Sequence, residues 1–338
     1  MNEFILNNKP SHSAILGGHE HNLMESLLMK ATKLKCIALS LAIASSFAHA
    51  AQIKVDEDTV FKPTGKGFGA VDNDATERAK RSAAKAARVS RTQIVYHGGP
   101  VMTNPTKLYY IWYGNWSSYT KAQQILVAFG SGIGGTPAFN VNTSYTSAAG
   151  AKVVNNVQLA GQYSDNYSKG KALSDQNILD VVTAAISSNS LPNDPNALYF
   201  VLTSPDVTET SGFGSQYCGW HANATIGAND VKYSFVGNPI TIAPAGCGVN
   251  SPSPNGDGGA DAMASVMYHE LSETVSDPDG NAWYDGSGNE NGDKCAWNFG
   301  TTFKATNGAS ANQTFASRQW LLQQMWLNVG AGSCVQKY

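Results

Sequence analysis

Charged side chains are scarce: Asp, Glu, Lys and Arg make up 14% of the 338 residues, against roughly 25% in ordinary soluble domains. The formal net charge is −2, so the chain has no overall attraction for nucleic acid or for an anionic surface. Long apolar runs are missing. The run Cys36 to Phe47 falls short of the ~20 residues that a membrane-spanning helix needs, and no later segment is longer. Cysteine is limited to five residues with no C-x-x-C spacing, which argues against a thiolate zinc site. The chain has no G-x-S-x-G elbow and no P-loop, so serine-hydrolase and nucleotide-phosphate chemistry lack their usual signatures. The glycines of GSGIGG (Gly130 to Gly135) follow a helical pattern, not a strand, and read as a helix end and loop.

What is present fits an exported, loop-rich globular protein, with hydrophobic content of 42% and 33 glycines. MKATKLKCIALSLAIASSFAHA, Met29 to Ala50, has the layout of a signal peptide: Lys30, Lys33 and Lys35, a short apolar stretch, then Ala48-His49-Ala50. Residues 1–50 are therefore expected to be an upstream extension plus signal, with export to the periplasm or the exterior. Cys36 leaves with the signal, and the even number left predicts two disulfides. The pairing nearest in sequence is Cys218–Cys247 and Cys295–Cys334. Residues 51–95 carry nine Lys/Arg against six Asp/Glu and read as a linker or pro-segment, with a basic helical stretch over 75–92. Residues 96–338 carry ten against sixteen and are expected to form one domain.

In that domain KLYYIWYG, Lys107 to Gly114, and ALYFVLT, Ala197 to Thr203, read as buried strands. Between them lie a helix in SYTKAQQILVAFGSGIGG, a strand in VVNNVQLAGQY, and a helix over LSDQNILDVVTAAISSN with Ser174 as N-cap. The alternation predicts an α/β core with a mixed, mostly parallel sheet. KYSFVG and PITIA predict an edge strand or hairpin, and ADAMASVMYHELSETVS a further, mostly buried helix.

That last helix carries the chemistry. His269 and Glu273 stand at i and i+4, one turn apart on one face, with Glu270 beside them. The spacing is that of the zinc-peptidase H-E-x-x-H helix with a carboxylate in place of the second histidine. Carboxylate oxygen binds Zn²⁺ at ~2.0–2.2 Å, so Zn²⁺ is the expected ion, and Glu270 the general base that activates water. Further oxygens follow at Asp277, Asp279, Asp285, Glu290 and Asp293. The segment 277–293 is also dense enough in Asp, Asn and Gly to hold a structural Ca²⁺. Trp283, Tyr284, Trp297, Trp320 and Trp326 crowd the C-terminal third, as a glycan-stacking surface or as an aromatic core.

Several blocks resemble the phosphate-induced/EXORDIUM-like family of secreted proteins: YHGGPVMT, LYYIWYGNW, YSKGKALSD, VLTSPDV, GFGSQYCGWHA, HELSETVSDPDGNAWY, ENGDKC and QWLLQQMW. They run from about Tyr96 to Cys334. Two positions depart from the family pattern: Gly214 stands near a family cysteine, and Asp277-Pro278 replaces Asn-Pro. The resemblance implies an exported protein of zincin-like, metzincin-like fold, and no defined reaction. It also implies that Glu273, Glu290, Asp293 and His221 match family positions. The expected ligands are His269, Glu273 and Glu290, followed by Asp279, Asp277 and His221, with Asp293 and Tyr284 supporting them. His97 is expected to be structural. Two functions follow. One is a metal-dependent hydrolase, most simply a peptidase acting on an extracellular peptide; the other is a non-catalytic binding or signalling protein on a cell-wall component or glycan.

Overall fold

The computed structural model describes residues 93–249 and 251–338. The expected signal segment 29–50, Cys36 and the basic stretch 75–92 lie outside the described residues. Among the described residues no helix is long and apolar enough to cross a membrane.

A five-stranded sheet forms the centre. In chain order its parts are β1 (Thr106–Tyr113), α1 (Thr120–Gly132), β2 (Val157–Asp165), α2 (Asp175–Ser187), β3 (Ala197–Thr203), β4 (Gly219–Ile226) and β5 (Asn229–Gly237). The spatial order is β2-β1-β3-β5-β4. The first four of these are mutually parallel, and β4 runs antiparallel to β5 at the edge. Burial explains the composition. The interior strands β1 and β3 are covered on both faces and read as unbroken apolar runs, whereas edge strand β2 alternates. The crossover β1→β2 steps one way and β2→β3 steps back past β1. Right-handed crossovers of opposite direction put α1 and α2 on opposite faces. α2 opens as its sequence predicts: Ser174 accepts from Asn177 N and Asn177 reciprocates in a capping box.

The long helix α3 (Gly258–Ser276) packs on α1 and against β4 and β5. From Gly259 to Ser276 every residue is buried, so its polar groups must find partners inside the protein. Asp257 caps its first turn by accepting from Ala260 N. Beyond it the chain forms loops and small antiparallel pairs, including Gln313–Phe315 with Arg318–Trp320 and Met325–Leu327 with Ser333–Val335.

KYSFVG lies in the β4–β5 hairpin, the second of the two places expected for it, and not at an edge, because β5 is paired on both sides, with β3 and β4. One expectation is corrected here. PITIA is not a strand but a single helical turn, Pro239–Ile242, because Asn238 accepts from Ile240 N and Pro239 occupies the first helical position. Both expected disulfides are present, Cys218–Cys247 and Cys295–Cys334.

Candidate metal centre

Three segments converge on the C-terminal half of α3. The helix presents His269, Glu270 and Glu273. The start of β4 presents His221, and the turn 290–293 presents Glu290 and Asp293. None of these six residues is more than 4% exposed.

Two glycines permit the approach. A Cβ on Gly219 would lie 2.5 Å from Val266 Cγ1, 2.9 Å from Phe235 O and 3.1 Å from Glu270 Oε1. Gly219 therefore lets α3 settle onto β4, which brings His221 Nδ1 to 3.3 Å from Glu270 Oε2 and 3.6 Å from Glu273 Oε2. The disulfide at Cys218 fixes the strand start just before it. A Cβ on Gly292 would lie 2.8 Å from His269 Nδ1 and 2.9 Å from Glu273 Oε1. Its absence lets the turn close, so that Asp293 N donates to Glu273 Oε1 at 2.9 Å. The second disulfide holds that turn through Cys295.

The ligand atoms fall into two sets, each with all atoms within 4.8 Å of one another: His221, Glu273 and Glu290, and His269, Glu273 and Asp293. In the first, His221 Nε2 is 3.7 Å from Glu290 Oε1. In the second, His269 Nε2 is 2.9 Å from Glu273 Oε1 and 3.7 Å from Asp293 Oδ1. Among the described residues these are the groups of such ligands that form.

Electrostatically the cluster is costly as it stands. Burial raises the pKa of Glu290 well above the carboxylate range, and the charges of Glu273 and Asp277 push it further. Burial does the same to Glu270, partly offset by His269 and reinforced by Glu273. Glu270 Oε1 and Glu290 Oε1 are buried and make no hydrogen bond. A carboxylate oxygen with no donor in a dry interior is a group whose partner is a cation or a proton.

An outer layer of amides orients the inner one. Gln323 Nε2 lies 2.9 Å from His269 Nδ1 and donates to Gly292 O. Asn291 donates to Ser272 O and to Asn142 Oδ1, and Asn142 donates to Ser272 Oγ. Such partners fix ring orientation and ligand basicity at metal sites.

Other expected residues stand outside the two sets. Asp277 sits at the end of α3, where its Oδ1 accepts from Asn281 N and Ala282 N, closing a turn. That turn carries Asp279 away from the cluster, to 3.9 Å from Lys232 Nζ on β5. Tyr284 stacks on His97 with ring centroids 3.8 Å apart, and His97 Nε2 contacts Tyr284 O. Asp285 is held by Lys294 and Asn289, so the carboxylates of 277–293 do not form a set of their own. Trp320, Trp326 and Tyr284 are core residues; Trp283 and Trp297 are partly buried against that core. Gln323, Asn142 and Asn291 went unread in the sequence. Gln323 lies inside the QWLLQQMW block, whose tryptophans carry its pattern, and Asn142 has no local signal.

The chain is similar to known proteins along most of this domain. A family model described as the phosphate-induced protein 1 conserved region matches residues 94–336. Protein EXORDIUM-like 3 of Arabidopsis thaliana is 32% identical over 273 residues, 69% of this chain and 80% of that protein. Protein EXORDIUM-like 5 of the same plant is 35% identical over 235 residues, 61% of this chain and 64% of that protein. Protein PHOSPHATE-INDUCED 1 of Nicotiana tabacum is 27% identical over 220 residues, 56% of this chain and 67% of that protein. No solved structure matches.

Proposed function

This chain belongs to the family of the phosphate-induced protein 1 conserved region, and from that premise we propose that it is an exported, metal-dependent hydrolase of zincin-like architecture, acting on an extracellular peptide. The relatives' names specify no reaction, so the reading rests on the cluster. Its carrying observation is the convergence of two imidazoles and four carboxylates in a dry site, with the acceptors Glu270 Oε1 and Glu290 Oε1 left without donors. The donor set fits a borderline or hard divalent ion such as Zn²⁺. His269, Glu273 and Asp293 would hold it as one set; His221, Glu273 and Glu290 as the other.

A divalent cation bound there supplies Lewis acidity, polarising a carbonyl and making water more acidic. Glu270 then supplies the base. Without compensating charge its carboxyl is driven toward the protonated form; positive charge beside it restores the carboxylate, which takes a proton from attacking water and returns it to the leaving amine. His221, 3.3 Å from Glu270 Oε2, orients that carboxyl. Gln323 holds the His269 ring from behind.

The test is digestion of a mixed peptide library with zinc-supplemented protein, read by mass spectrometry. Glu270→Gln is expected to keep the metal and lose cleavage by at least ~10²-fold, the usual contribution of a general base. A second reading has its own support. Closed metal sites are the structural kind, and no cluster residue exceeds 4% exposure. In that reading the ion locks α3 to β4 and the 290–293 turn of a non-catalytic binding or signalling protein. Metal-loaded wild type that cleaves nothing would favour it.

A further inference from the structure

We propose that the cluster is a two-metal centre with Glu273 as the bridging carboxylate, a deepening that rests on the metal-centre reading above. One ion is held by His221, Glu273 and Glu290, and the other by His269, Glu273 and Asp293.

Geometry is the first support. The two imidazoles belong to different ligand sets, and Glu273 alone belongs to both. Its oxygens divide between them. Oε1 faces His269 Nε2 at 2.9 Å and Oε2 faces His221 Nδ1 at 3.6 Å. A carboxylate whose two oxygens address two separate ligand sets has the disposition of a bridge. Paired metals in hydrolytic centres stand roughly 3.5–4 Å apart, a span that one carboxylate covers.

Charge is the second support. Glu270, Glu273, Glu290 and Asp293 put four carboxylates into one buried site. The nearby ammonium, Lys294, is directed to Asp285 at 2.9 Å and lies over the Trp326 ring. With one divalent ion, two of the four carboxyls must keep a proton or stay uncompensated in a low-dielectric interior. Two divalent ions balance the four carboxylates. The unbonded Oε1 atoms of Glu270 and Glu290, both on buried side chains, mark where positive charge is lacking. One imidazole with carboxylate oxygens for each ion suits Zn²⁺, Mn²⁺ or Fe²⁺ over soft, thiophilic metals.

The experiment is titration of metal-stripped protein with Mn²⁺, reading bound ion per chain by elemental analysis and coupling by electron paramagnetic resonance. Wild type is expected to saturate at two ions per chain, with the isolated-ion signal suppressed by exchange between neighbours. Asp293→Asn, isosteric and removing one set, is expected to bind one ion and regain the isolated-ion spectrum. His221→Gln should do the same from the other side, which keeps the test open if one variant fails to fold. Saturation of folded wild type at one ion with an uncoupled spectrum would overturn the bridge and leave a single-metal centre standing. No binding by folded wild type would overturn both readings.

Discussion

His269, Glu270 and Glu273 were legible in the sequence because helix geometry makes their relation local: i and i+4 share a face wherever the helix sits. His221 stood among the expected ligands through the family resemblance alone, because no spacing ties it to the helix. It reaches Glu270 across 49 residues of chain, and only the packing of α3 on β4 creates the contact. The glycines that allow that packing carry a testable consequence. Gly219→Ala drives a methyl into the backbone oxygen of Phe235 and the side chain of Val266, and is expected to destabilise the protein by roughly 1–3 kcal/mol, read from denaturant midpoints. Gly292→Ala meets His269 Nδ1 and Glu273 Oε1 instead. It is expected to weaken metal binding at least ~10-fold, as loss of supporting contacts at metal sites does, with a smaller change in unfolding midpoint. Unchanged metal affinity in Gly292→Ala would contradict this placement.

At the scale of elements, β1, α1, β2, α2 and β3 followed from periodicity, since each is long and either two-sidedly buried or clearly amphipathic. Asp279 shows where pattern stops. Ten residues after His269 it occupies a ligand spacing known from other zinc helices, but the turn closed by Asp277 sends it to the β4–β5 hairpin. There burial and the charge of Asp230 push its pKa up to about 6. A carboxyl with a raised folded pKa contributes stability that is fully present below its ordinary 3.8 and is lost as pH rises through about 6. Asp279→Asn is therefore expected to melt above wild type at pH ~8 and level with it at pH ~4; the same offset at both would contradict the assignment. The disulfide Cys295–Cys334 acts on another element, anchoring the turn that bears Asp293. Cys295→Ser with Cys334→Ser should cost about 2–4 kcal/mol and lower metal affinity, measured by calorimetric titration. Unchanged affinity would show that the turn holds its shape without the bridge.

For the whole molecule, the acidic balance of residues 96–338, sixteen against ten, is concentrated inward: the carboxylates of the cluster are buried, not spread as a solvated face. A cation at the cluster would complete that arrangement. Metal binding should then stabilise the fold by mass action, about 2.7 kcal/mol at a free ion concentration of 100 times Kd. The most direct measurement is elemental analysis of the purified protein beside Glu273→Ala, with circular dichroism to confirm that both are folded. The account predicts transition metal in at least stoichiometric amount in wild type and its loss in Glu273→Ala. Folded wild type that carries no metal and takes up none when zinc is offered would contradict it.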